Sequence, residues 1–132
     1  MAKVLYVDAD VERIEAVCDL FARRGHIVTV ARGTARAMLH VDREGGYDAV
    51  VAHLMLPSID GAELCRWLQN WSRMSGVPRI IFSGPGVELK LDLPDRLPRW
   101  LPADVYLRDL TDFAHLVEAV ERLLDREGGT ET

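Results

Sequence analysis

Residues 48–57 read Asp48-Ala49-Val50-Val51-Ala52-His53-Leu54-Met55-Leu56-Pro57, with Asp60-Gly61 close behind. The apolar run Ala49 to Leu54 is short enough for a strand and too short for an ordinary helix. Met55 to Gly61, with Pro57 and Asp60-Gly61, carries the residues of a loop. A strand that breaks off into a loop at a histidine is the feature around which the rest of the chain is read.

The same pattern recurs on both sides. Val4-Leu5-Tyr6-Val7 is an apolar run that stops at Asp8, a strand buried on both faces as in parallel sheets. Ile14, Val17, Cys18 and Phe21 follow at helical spacing. Gly25 ends that helix behind Arg23-Arg24, whose charge suits a helix C-terminus. His26 to Ala31 is the second strand, rich in β-branched residues. Gly33-Thr34 opens a second helix, with Ala35, Met38 and Leu39 expected on its apolar face and Gly45-Gly46 at its stop. Beyond the central strand, Leu64, Cys65, Leu68 and Trp71 mark a third helix, and Trp67 is placed to share a ridge with Trp71. Pro78 introduces a fourth strand over Arg79-Ile80-Ile81-Phe82.

Pro85, Pro94, Pro98 and Pro102 then interrupt the chain. A proline inside a helix costs about 3 kcal/mol, so a long regular helix is not expected there. A short one around 95–100 is compatible with the spacing, and Trp100 is expected to anchor the segment. Val105-Tyr106-Leu107 is a fifth strand. Thr111 is the expected N-cap of a last helix, with Asp112 in its first turn and Phe113, Leu116, Val117, Val120, Leu123 and Leu124 on its apolar face. Residues 1–126 are expected to form one domain and 127–132 a flexible polar tail. Five strands alternating with helices imply right-handed βαβ units and a parallel sheet covered on both faces. Ligands of such sheets sit at the carboxyl ends of the strands, which directs attention to Asp8, Asp10, His53, Ser83 and Asp109.

The whole chain has 132 residues, of which 48% are hydrophobic and 28% charged, and a formal net charge of −5. This is the balance of a globular domain, and its acidity argues against nucleic acid or an anionic membrane as partner. No apolar run reaches the ~18–20 residues needed to cross a bilayer, and no signal-peptide pattern opens the sequence. The two cysteines, Cys18 and Cys65, form no CxxC pair and read as reduced thiols on helix faces, so a cytoplasmic location is expected.

The quoted stretches resemble the receiver domains of response regulators, from Lys3 to about Leu124. Val4 to Asp8 resembles the family's first strand, Asp48 to Pro57 with Asp60-Gly61 its third strand and loop, Ile80 to Gly84 its fourth strand, and Ala103 to Leu107 the approach to its lysine. The resemblance implies an α/β, flavodoxin-like, doubly wound five-stranded parallel sheet of order 2-1-3-4-5, with the fourth helix shortened or irregular. In the family, paired acids hold Mg²⁺, an aspartate ending the third strand takes a phosphoryl group, and a hydroxyl residue and a lysine bind its oxygens. Here Asp8 matches the first acid, but Ala9 replaces the second, with Asp10 one residue on. His53 replaces the acceptor, Ser83 matches the hydroxyl, and Asp109, next to Arg108, replaces the lysine. Tyr106 matches the switch aromatic.

Three changes act against phosphotransfer. Mg²⁺ prefers carboxylate oxygens, and a phosphoryl group needs positive charge nearby. Exchanging lysine for Asp109 shifts the local charge by about two units in the wrong direction. The expected function is therefore a non-enzymatic signalling module, a pseudo-receiver controlled by a protein partner, without a cofactor. Tyr106, Arg108 and Trp100 belong to its output face. A homodimer through the face formed by the fourth helix, fifth strand and last helix is a further expectation. The alternative is a small metal- or ligand-binding protein, or an enzyme, using Asp8, Asp10 and His53. Of these, Asp8 and Asp10 are weak metal candidates, and the preferred reading of His53 is a partly buried side chain bonded to Asp8 or to loop backbone.

Overall fold

Five mainly apolar runs, rich in β-branched residues, form the central sheet. A computed structural model describes residues 1–56, 61–70, 74, 76–85 and 103–128. The strands are β1 (Lys3–Val7), β2 (Ile27–Ala31), β3 (Ala49–His53), β4 (Arg79–Phe82) and β5 (Val105–Leu107). The described helices are α1 (Val11–Arg23), α2 (Thr34–Arg43), α3 (Gly61–Gln69) and α4 (Ala114–Gly128). All four strand pairs are parallel, and the order is β2-β1-β3-β4-β5. This is the doubly wound, flavodoxin-like arrangement that the sequence implies.

Strand alternation divides the core. Val4, Tyr6, Ala49, Val51, Ile80 and Phe82 pack against Val17 and Phe21 of α1 and Leu116, Val117 and Val120 of α4. Leu5, Val7, Val50 and Ala52 face the opposite way, onto Ala37 and Val41 of α2 and Leu64 and Leu68 of α3. β1 and β3 are buried almost throughout, as interior strands covered on both sides must be.

Asp10 caps α1, its Oδ1 accepting the Arg13 amide at 3.0 Å. Gly25, at φ +81°, ends it: the Gly25 amide donates to the Ala22 carbonyl and the His26 amide to that of Phe21. Only glycine enters this left-handed turn without a Cβ penalty. The same conformation recurs at Gly45 and Gly46, beyond α2.

Several expectations need correction. The inner face of α2 is Thr34, Ala37 and Val41, whereas Ala35 and Leu39 are exposed and Met38 is half-buried. Two apolar stripes overlap on this helix, so periodicity alone did not fix its rotation; Ala37 is small enough to sit directly against the sheet. Thr111 does not cap the last helix. The Asp112 carboxylate accepts the Ala114 amide at 3.0 Å, so the helix begins later. That helix also continues to Gly128, two residues into the expected tail. Trp67 is half-exposed, whereas Trp71, Trp100, the proline-rich stretch 86–102 and residues 129–132 lie outside the described residues. Cys18 is partly buried and Cys65 fully buried, both as free thiols. No helix among the described residues is long and apolar enough to cross a membrane.

Candidate functional site

Asp8 continues β1 by one residue, its amide donating to the Ala31 carbonyl at 3.1 Å. Alternation places its side chain on the α1 side with Val4 and Tyr6. There it is completely buried. Its Oδ1 accepts the Asp10 amide at 3.1 Å and Arg13 Nη2 at 2.7 Å. Its Oδ2 accepts the Tyr6 hydroxyl and Arg13 Nε, both at 2.5 Å. Four donors thus occupy the two oxygens, which together offer about four lone-pair sites.

The arginine is held as firmly as the acid. Arg13 stands in the first turn of α1, where Asp10 caps the helix and also approaches Arg13 Nη1 to 3.9 Å. Its guanidinium lies 6.0 Å from the centre of the Phe82 ring. Tyr6 stacks on the same ring at 6.2 Å, and His53 meets it edge-on at 5.0 Å. Burial alone would push the Asp8 carboxyl up, but the hydrogen bonds from Arg13, Tyr6 and the Asp10 amide outweigh it and hold the group below its usual range. The bond to Asp8 raises Arg13 further. Burial, with the charge of Asp8 second, lifts the Tyr6 phenol far above its ordinary value.

His53 shares the aromatic contact but not the ion pair. Its Nδ1 lies 3.0 Å from the Met55 carbonyl oxygen and 3.1 Å from the Met55 amide nitrogen, so the ring serves the start of the loop. Of the two partners expected for it, loop backbone is the one observed. Burial lowers its pKa, the Met55 bond opposes this, and the charge of Arg13 lowers it again. A largely neutral imidazole follows at pH 7.

The hydroxyl belongs to a second cluster. Ser83 is fully buried, and its Oγ lies 2.9 Å from the Tyr106 hydroxyl. Tyr106 packs against the buried cluster of Leu54, Cys65 and Ile81, towards α3. Asp109 is exposed and turns the chain through φ +51°, after which the Leu110 amide reaches the Ser83 carbonyl at 2.9 Å. Arg108 is half-buried, and the Ala9 carbonyl accepts Arg32 Nη2 at 3.4 Å.

The hydrogen bonds of the residues expected at the strand ends lead to different partners. Asp8 and Asp10 meet through Arg13, His53 turns to Met55, and Ser83 turns to Tyr106. Among the described residues, no three His, Cys, Asp or Glu side chains come together as metal ligands. Asp8, Asp10 and His53 therefore do not form a three-ligand metal cluster. Sequence reasoning overlooked Arg13 and the Tyr6 hydroxyl. One signal was available: a cation in the first turn opposes the helix dipole, and so asks for a carboxylate nearby.

No protein-family model matches the chain, and no curated protein matches it by sequence. Solved structures do match. The receiver domain of Francisella response regulator 1452 is 26% identical, with 96% of this chain and 99% of that one covered and a TM-score of 0.77. The signal receiver domain of a histidine kinase from Syntrophus aciditrophicus is 21% identical, covering 95% and 91%, at 0.78. The receiver domain of a sensor histidine kinase from Pseudomonas aeruginosa, with magnesium coordinated in its active-site cleft, is 19% identical, covering 93% and 97%, at 0.77. The structural neighbours are thus receiver domains of signalling proteins.

The donor set of this chain does not suit magnesium. That ion demands near-octahedral oxygen ligation. Here the oxygens of Asp8 are saturated by donors, Ala9 offers no side-chain ligand, and His53 offers nitrogen rather than oxygen, with its Nδ1 engaged by Met55. A guanidinium stands beside Asp8, the one buried carboxylate among the described residues of the site.

Proposed function

We propose, taking the receiver fold as premise, that this chain is a non-enzymatic signalling module that works through protein contacts and independently of aspartyl phosphorylation. The observation that carries this reading is the saturation of Asp8 by Arg13, Tyr6 and the Asp10 amide. An acid so engaged has no lone pair to give a metal. Without a metal, a phosphoryl group at this cleft would meet Asp109 where the family supplies a cation. His53 at the acceptor position is buried and bonded to its own loop.

The contact surface follows from the other cluster. Tyr106 is tied inward by Ser83, so β5 presents a fixed face, with Arg108 at its end. Beside it, Val105, Leu107, Ala119 and Leu123 line a groove of about 420 Å³ rimmed by His115, Glu118 and Arg122. A protein partner, or a second copy of the chain, is the occupant this reading assigns to that side. Residence in the cytoplasm belongs to the same proposal.

Incubation with acetyl phosphate and Mg²⁺, followed by intact mass measurement, tests the reading. The expected result is an unchanged mass. A stable, stoichiometric gain of one phosphoryl group overturns it.

A further inference from the structure

Arg13 occupies a chemical role as well as a place. It delivers one positive charge to a carboxylate that has no exposed surface, through two parallel N–H···O bonds. It comes from the helix that follows the strand, so it is never more than five residues from the acid it neutralises. Asp10 caps that helix and lies near the same guanidinium, and the Phe82 ring lies 6.0 Å from its centre. Arginine remains protonated at any physiological pH and exchanges with nothing.

We propose that Arg13 is a built-in counter-ion. Its guanidinium permanently fills the charge-neutralising role of a divalent cation at the end of β1, and so excludes such cations from the cleft. This rests on the reading above that the cleft no longer handles phosphate, and it identifies the residue responsible. Restoring carboxylates at Ala9 and His53 does not by itself recreate a metal site, because the cation position is already filled. Loss of ligands and occupation by Arg13 are separate barriers, and each suffices.

The test uses Mn²⁺ as the probe, followed by paramagnetic broadening of backbone amide resonances. The variant Ala9→Asp/His53→Asp carries the added carboxylates and keeps Arg13. It is expected to show no localised broadening at residues 7–10 and 53–55. Adding Arg13→Ala is expected to bring that broadening in at a Mn²⁺ concentration at least about tenfold lower. Equal binding with and without Arg13 overturns the proposal. Should the triple variant not fold, Arg13→Gln in the same Ala9→Asp/His53→Asp background, which keeps N–H donors towards Asp8 but removes the charge, decides the matter. Localised Mn²⁺ broadening gained with Arg13→Gln supports the built-in counter-ion, and broadening equal to that of the double variant overturns it. Phosphoryl labelling of the wild type would defeat the function reading, whereas the Mn²⁺ comparison would still report on Arg13 alone.

Discussion

At the carboxyl ends of the strands Arg13 grips Asp8, a side chain with no exposed surface. At the amino ends Arg24 meets Glu121 of α4 at 2.7 Å, and the second oxygen of Glu121 lies 2.9 Å from His26 Nε2. The Ala2 amide donates to Nδ1 of the same imidazole. Both clusters join the sheet or its loops to a helix on the same side. They differ in solvent: Arg24 is 59% exposed and Glu121 24%. The exposed Arg24 arm of the amino-terminal cluster can trade its partner for water at little cost, although His26 beside it is only 7% exposed. The carboxyl-terminal cluster cannot, so its partners are obligatory, and that is why the arginine beside Asp8 decides what else can bind there.

The largest test of this contrast is Arg13→Ala. It strands a buried carboxylate, and the expected loss is about 3–5 kcal/mol of unfolding free energy. Urea denaturation measures it. The double change Asp8→Asn/Arg13→Met removes both charges and should be markedly less damaging than Arg13→Ala alone. A loss below about 1 kcal/mol for Arg13→Ala would put the two ends of the sheet in the same class.

The second test is pH. His53 has a lowered folded pKa, so the unfolded chain takes up a proton first. Its contribution is intact above the ordinary histidine value of about 6.5 and declines as pH falls from there towards the folded value, by at most about 1.4 kcal/mol per pH unit. Asp8 is also lowered, so its contribution is intact above about 3.9 and is lost as pH falls through its folded value. Comparing His53→Gln with wild type isolates the upper window, since His26, His40 and His115 are common to both. The decline below pH 6.5 should lessen in the variant and the acid limb remain. Parallel curves for the two proteins would show that His53 is not held neutral.

The smallest expected effect is Arg24→Ala. An exposed pair discounted for solvent screening is worth about 0.5 kcal/mol, and added salt should erase the difference. A loss comparable to that of Arg13→Ala, persisting in high salt, would break the comparison from its other side.

Much of the fold was legible because burial leaves a linear trace. Val4 to Val7, Ala49 to Leu54 and Arg79 to Phe82 are continuous runs, and glycines stand where α1 and α2 end. The rotation of α2 was not legible, since its two apolar stripes are equally good as patterns and only contact with the sheet chooses between them. At the site, the residue types at positions 8, 9, 53, 83 and 109 are plain from the chain, and their conflict with phosphate chemistry is the proposal that rests on them. Which of them touch was not legible: Ser83 and Tyr106 are 23 residues apart and face α3, whereas Asp8 faces α1.

The sequence by itself determined the alternation of strands and helices, their parallel arrangement and the absence of an aspartate at position 53. These follow from periodicity and residue type, which are local properties. Only the tertiary structure decided that Asp8 is neutralised by Arg13, that His53 bonds to Met55, and that Ser83 holds Tyr106. A carboxylate acquires an obligatory partner only when packing removes its water. That removal depends on Tyr6, Phe82 and the helix laid across them, which no single stretch of chain contains.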